Sequence, residues 1–311
     1  MLLVAVLLVN LHLPGCSRLT HTDQILREAQ IPRHTEIEAV PFFPQKKFQC
    51  GPAALSMALG WSGLQVSPDI LTHEVFTPVL KGSYQSALIG ATRRHGRMAY
   101  LLTGRVNLYK EIAAGHPVIV LQNLGLSWYP IWHYALAIGF DLDKRSILLH
   151  SGTTPRKTSS IAVFESTWSR SSHWGLLVLP PGRLPATAEL TDIIPAVVGL
   201  EKAGQWNAAI KNYTAVLNRW PNSLAAHIGM GNCWYGLGNL ESAESVLRDA
   251  SLRFPEEGTV FNNLAHVLFE RGDLEGAENA ARRAVTLGGP LVKVYRQTLK
   301  EIQTGEPHPK R

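Results

Sequence analysis

The feature that most restricts this chain is a period. In the second half Gly204, Gly238 and Gly272 recur every 34 residues, as do Ala209, Ala243 and Ala277, and Pro221 and Pro255 keep the same spacing. Around these markers lie "AGQWNAAIKNYTAVLNRWPNS", "LGNLESAESVLRDASLRFPEE" and "RGDLEGAENAARRAVTLGG", each a turn, an amphipathic helix and a breaker. A unit of this kind is one helix pair, which cannot bury its apolar face alone, so successive pairs must stack into a continuous core. The stretch "LVKVYRQTLKEI" puts Leu291, Tyr295, Thr298 and Ile302 on one stripe and is expected to close the stack as a cap helix.

These markers, in this order, resemble tetratricopeptide repeats. Three repeats with the cap helix are expected over residues 190–303, an all-α helical-repeat domain, with a polar tail at 304–311. The resemblance implies that the first helix of each pair lines a concave groove for a protein partner. Groove positions mapped this way include Asn232, Tyr235, Asn262 and His266, which read equally as ordinary solvated polar residues. The paired lysines of chaperone-binding versions are missing there, so that class of partner is not implied.

The first half follows another period. "HPVIVLQ" (116–122), "HYALAIGF" (133–140), "SILLH" (146–150) and "HWGLLVLP" (173–180) are short β-branched or apolar runs bounded by turns, and "SYQSALIGATRRHG" reads as a helix. An α+β domain with a mostly antiparallel sheet is expected over 40–180, joined to the repeats by a Pro- and Gly-containing linker at 181–189.

"FFPQKKFQCGPAALSMALGW" places Cys50 at the mouth of a helix-like run. A free cysteine there reads either as a small packed hydrophobe or as a nucleophile favoured by the unpaired N–H groups of a helix start. Cys233 lies inside a helical stretch and reads as packed. A nucleophile needs a base, and "HYALAIGF" offers His133. Side chains alternate on a strand, so His133, Ala135, Ala137 and Gly139 share a face. That small-residue face suits close approach by the Ala- and Gly-rich helix that begins at Cys50, and docking there would carry thiol to imidazole. Trp128 and Trp132, just before His133, read either as cleft walls or as aromatics closing a domain edge. His73, His95, His116, His150 and His173 show no metal-ligand spacing, and neither a metal nor a cofactor is expected.

"PQKKFQCGPAAL", then "GHPVIVLQN", then "WHYALAIGFD" resemble the papain-like cysteine peptidases that cut bacteriocin leader peptides after a double glycine, and their stand-alone relatives. The resemblance implies Cys50 as nucleophile, His133 as general base and Gln45 as an oxyanion donor beside the Cys50 N–H, with Gln49 the competing glutamine. Where the family carries an acidic residue to orient the histidine, this chain has "ILLHSGTT", which puts Ser151 in that place. Asp141 or Asp143 from the adjoining turn could substitute. A serine hydroxyl can hold the imidazole tautomer but offers no charge to an imidazolium. The implied activity is hydrolysis of peptide bonds in a peptide or protein substrate. Two alternatives stand beside it: a degenerate domain that grips a peptide without cutting, and another thiol-dependent amide hydrolysis or transfer.

Residues 1–13, "MLLVAVLLVNLHL", are apolar but shorter than a membrane-spanning helix requires. With "LPGCSR" they resemble a bacterial lipoprotein signal over 1–16, in which Cys16 is lipidated, followed by a tether at 17–39; plain secretion and a cytoplasmic apolar N-terminus are the alternative readings. The expected location is the bacterial cell envelope, lipid-anchored and facing the periplasm. A net charge of +6 would suit nucleic acid or an anionic surface. The basic residues are scattered, and the densest knot, Arg93-Arg94-His95-Gly96-Arg97, reads as one helix end, so a nucleic-acid partner is not expected.

Overall fold

A computed structural model of the chain describes residues 30–102 and 104–305. Cys16, the expected signal and most of the expected tether lie outside the described residues, as does the tail from 306 onward.

The first half is a seven-stranded antiparallel sheet with the order β2-β7-β3-β4-β5-β6. The strands are β1 (His34–Glu36), β2 (Met98–Leu102), β3 (Val118–Asn123), β4 (Trp132–Asp141), β5 (Ser146–Ser151), β6 (Thr154–Ser160) and β7 (Gly175–Leu179). β1 pairs with the far end of β4, His34 opposite Asp141. Helices α1 (Cys50–Trp61), α2 (Pro68–Val75) and α3 (Gln85–Arg94) cover one face of the sheet, and α4 (Arg105–Ala113) and α5 (Ile161–Trp168) cover the other.

Helix α1 starts at Cys50 and is buried from Gly51 to Leu59, as a run with no polar stripe must be. It lies on the face opposite to the one its small residues suggested. Ala54, Leu55, Met57, Ala58 and Leu59 pack with Tyr134, Leu136 and Ile138, whereas Ala135 and Ala137 belong to the core under α4 and α5. The physical reason is area: a small-residue helix comes close to large side chains and buries more apolar surface than two small-residue faces would.

The second half is a right-through run of helices: α6 (Leu190–Lys202), α7 (Trp206–Arg219), α8 (Leu224–Gly236), α9 (Leu240–Arg253), α10 (Gly258–Glu270), α11 (Leu274–Leu287) and α12 (Val292–Thr304). The 34-residue glycines each sit between the two helices of a pair with φ of +69°, +74° and +83°, the left-handed region a side chain resists. Tyr295, Thr298 and Ile302 form the buried stripe of the last helix.

The two halves share one core. Met98 and Tyr100 of β2 pack with Ile193, Val197 and Leu200 of α6, and the same cluster continues to Tyr213, Ala226 and the fully buried Cys233. The proline-containing crossing between them is strapped down. The buried carboxylate of Glu111 accepts from Thr187 N (2.7 Å), Thr187 Oγ1 (2.6 Å) and Ala186 N (3.2 Å). Glu111 also pairs with His116 Nδ1 at 2.6 Å, and Arg183 Nε donates to His116 Nε2 at 2.8 Å. Burial alone would push the Glu111 carboxyl up, but the hydrogen bonds from His116 and Thr187 outweigh it and hold it below its usual range.

Candidate active site

The start of α1 and the start of β4 meet at the end of the sheet, in an open cleft of about 860 Å³ lined by Gln45, Cys50, His133 and Tyr134 among others. Cys50 therefore lines a cleft while the rest of its helix is core. Gly51 is required beside it, because a Cβ there would stand 2.6 Å from Ser83 Oγ in the loop that closes the cleft floor. Tyr134 fixes that loop in turn by donating its hydroxyl to the Ser83 carbonyl at 3.1 Å.

His133 is held by Ser151, its Nε2 standing 2.9 Å from Ser151 Oγ. Asp141 and Asp143, the competing orienting residues, are at the other end of β4. Eight residues of strand separate Asp141 from His133, a span of about 26 Å at ~3.3 Å per residue. Asp143 pairs with Arg33 and Asp141 with Lys144 and His34, so neither is available to the imidazole.

Gln45 and Gln49 are separated just as clearly. Gln45 lines the cleft, with its Nε2 donating to the Tyr134 carbonyl at 3.2 Å and its Oε1 accepting from Gly152 N at 3.0 Å. The backbone N–H of Gln45 donates to the Gly152 carbonyl at 2.9 Å, so the glutamine joins β4 to the β5–β6 turn. Gln49 occupies the N-cap of α1, makes no side-chain capping bond, and is not part of the cleft wall.

The electrostatics describe a neutral pair. Burial pushes the Cys50 thiol up, opposed by the backbone amides of Tyr134, Gly51 and Cys50 itself. Burial, helped by the positive charge of Lys157, pushes His133 down to about 4. At neutral pH the resting site is then thiol and imidazole rather than thiolate and imidazolium. A neutral imidazole can accept a proton, but one pushed down this far is a weak base for a thiol that burial pushes up.

Several cleft residues were not legible as such in the sequence. Lys46, Lys47 and Phe48 lie just before Cys50, and Lys81 and Tyr84 arrive from the loop between α2 and α3. The "QKKF" run was a usable signal for the first group; Lys81 carries none. Trp132 lines the cleft, whereas Trp128 is 79% exposed at the tip of the preceding loop, in ring contact with Tyr129.

The other histidines sit in separate places: His95 against Glu74, His150 on the Val40 carbonyl and His173 near Glu165. In the repeats, Asn232 is exposed and accepts from Asn263 Nδ2 at 3.0 Å, Tyr235 donates to Glu270, and His266 Nε2 meets Thr298 Oγ1 at 3.1 Å. Asn262 is 6% exposed, while its neighbour Asn263 is the one that donates to Asn232.

An antiparallel α+β domain with a cysteine at a helix start and a histidine at a strand start, followed by stacked helix pairs, defines a cysteine-peptidase-like domain fused to a helical-repeat module. Residues 37–175 match the sequence model of the Peptidase_C39 like family, and residues 200–261 and 235–290 match two models of the tetratricopeptide repeat. The chain thus carries a peptidase C39-like domain followed by tetratricopeptide repeats, a peptidase-like fold joined to a protein-interaction module. Among solved structures it is similar to a putative C39-like peptidase from Bacillus anthracis, at 20% identity and TM-score 0.41, covering 47% of this chain and 97% of that one. It is also similar to the peptidase domain of Streptococcus ComA, a bi-functional ABC transporter involved in a quorum sensing pathway, at 18% identity and TM-score 0.38, covering 46% and 99%. Its helical part is similar to the Yersinia enterocolitica type III secretion translocator chaperone SycD, at 18% identity and TM-score 0.35, covering 38% and 86%. No curated protein sequence matches the chain.

Proposed function

We propose that this protein is a cysteine peptidase whose repeats recruit or position a protein partner. The observation that carries the reading is that Cys50, at the start of α1, and His133, anchored on Ser151, line one cleft. In this mechanism the neutral His133 takes the Cys50 proton as sulfur attacks the peptide carbonyl. The oxyanion is held by the Cys50 N–H, which the helix itself leaves unpaired, and by the second amide hydrogen of Gln45. The imidazolium then protonates the leaving amine as the C–N bond breaks, and water hydrolyses the acyl-enzyme.

The missing carboxylate favours a second reading, in which the domain grips a peptide without cutting it. Ser151 supplies no charge to the imidazolium, and both titrating groups rest neutral. Profiling the full chain against a peptide library, with Cys50→Ala as control, decides between them. Products that vanish in the variant support the peptidase; library binding with no product in either protein supports the gripping domain.

We assign the protein to the bacterial envelope, anchored by lipid on Cys16 and facing the periplasm. The support is the signal-like stretch alone. One acyl chain gives only marginal binding, so attachment through Cys16 requires the multiple acylation that the lipoprotein resemblance implies. Cys16→Ser should move the protein to the soluble fraction, and unchanged fractionation would remove lipid as the anchor.

A further inference from the structure

The ring of Phe48, two residues before the proposed nucleophile, is half exposed, and two ammonium groups stand over it. Lys47 Nζ lies 5.2 Å from its centroid, and Lys81 Nζ reaches it at 5.9 Å from the loop between α2 and α3. The negative face of an aromatic ring attracts each cation but does not neutralise it, and two like charges on one ring repel. The other two cations of the cleft are engaged: Lys46 pairs with Asp69 at 2.6 Å, and Arg170 donates to the carbonyls of Asn123 and Gly125. Among the described residues none that lines the cleft is acidic, and no carboxylate pairs with Lys47 or Lys81.

A second, independent observation points to the same place. Phe48 has φ +65° and Lys81 has φ +50°, a left-handed conformation that a residue with a Cβ resists. Lys81 is held there by a tight turn in which Thr77 N donates to the Gly82 carbonyl at 2.7 Å. Backbone strain of this kind persists only where the surrounding structure enforces it, and it concentrates at ligand clamps. Here two segments distant in sequence each hold one such residue, and the two side chains converge on one spot.

Resting on the peptidase reading above, we propose that Lys47, Lys81 and Phe48 form a cationic clamp that selects peptide substrates bearing acidic side chains beside the attacked bond. A carboxylate between the two ammonium groups satisfies both, and the exposed Phe48, Leu80 and Tyr84 give the flanking backbone an apolar floor. Lys47 is three residues from Cys50 in the chain, a span of at most about 11 Å. With the reach of the lysine side chain added, the selected acid lies within about five residues of the scissile bond.

The test uses the full chain and two fluorescein-labelled peptide pools, one containing Asp and Glu and one with Asn and Gln in their place. Binding to Cys50→Ala is read by anisotropy, and cleavage by the wild type is read separately. The acidic pool is expected to bind about tenfold more tightly, with the preference collapsing toward equality at high salt. The charge-reversed Lys47→Glu/Lys81→Glu protein should lose that preference, and Lys81→Gln alone should reduce it; circular dichroism verifies that both fold. Equal binding of the two pools, or a preference that survives charge reversal, overturns the clamp. Selective binding by Cys50→Ala with no cleavage by wild type leaves the clamp standing and removes the peptidase reading. Cleavage of both pools at one rate with equal binding does the reverse.

Discussion

Replacing Ser151 with Asp tests the orienting residue through its charge. The Ser151 Oγ stands 2.9 Å from His133 Nε2, so an Asp carboxylate at this position would place its charge about 4 Å from the imidazole centre. At an effective dielectric of about 20, a pair at that distance interacts by about 4 kcal/mol, equivalent to about 3 pKa units on the imidazole. Ser151 is only 7% exposed, so the new carboxylate also pays desolvation, which removes up to half of the effect. His133, now near 4, should therefore titrate between about 5.5 and 7 in the variant. The direct assay is the pH titration of the His133 ring by NMR. The indirect one is the pH dependence of Cys50 alkylation by iodoacetamide, whose midpoint should fall as an imidazolium becomes available to the thiolate. Ser151→Asn, which keeps an acceptor without a charge, should leave both curves near the wild type. A His133 midpoint in Ser151→Asp within half a unit of wild type, with alkylation unmoved, would refute charge at this position as what the site lacks.

Three further outcomes follow from the packing. Glu111→Ala removes the acceptor that straps the crossing to the sheet domain and should cost about 3–5 kcal/mol, read as a lower melting temperature and protease cleavage near 181–189. Glu165 is buried with its carboxyl pushed up to about 7 from 4.5, mainly by desolvation. Because the folded state holds the proton more tightly than the unfolded one, its contribution is full below pH 4.5 and fades as pH rises through 7. Glu165→Gln should accordingly flatten the fall in melting temperature over that window and stabilise the protein at pH 8 by up to about 3 kcal/mol. Gly238→Ala meets no neighbour within 4 Å, so its cost of about 1–2 kcal/mol should come from φ +74° alone, and Gly238→Asn should recover part of it by chemical denaturation.

The repeats were legible in the sequence because their information is local. A residue's place in a helix pair depends on neighbours three, four and 34 positions away, so Gly204, Gly238 and Gly272 marked turns that the structure places at positive φ. Strand runs and the start of α1 at Cys50 were visible for the same reason. What the tertiary structure decided were relations between distant segments. Alternation shows that Tyr134 and Ala135 of β4 face opposite ways, but only the competition for buried area settles which face receives α1. Motif order left Ser151, Asp141 and Asp143 as rivals until the packing of β5 beside β4 brought Ser151 to the His133 ring. Lys81 reached the Phe48 ring through a turn no motif announced, and the neutral state of Cys50 and His133 comes from burial by side chains scattered across the domain. Desolvation and charge act through space, and the sequence orders residues only along the chain.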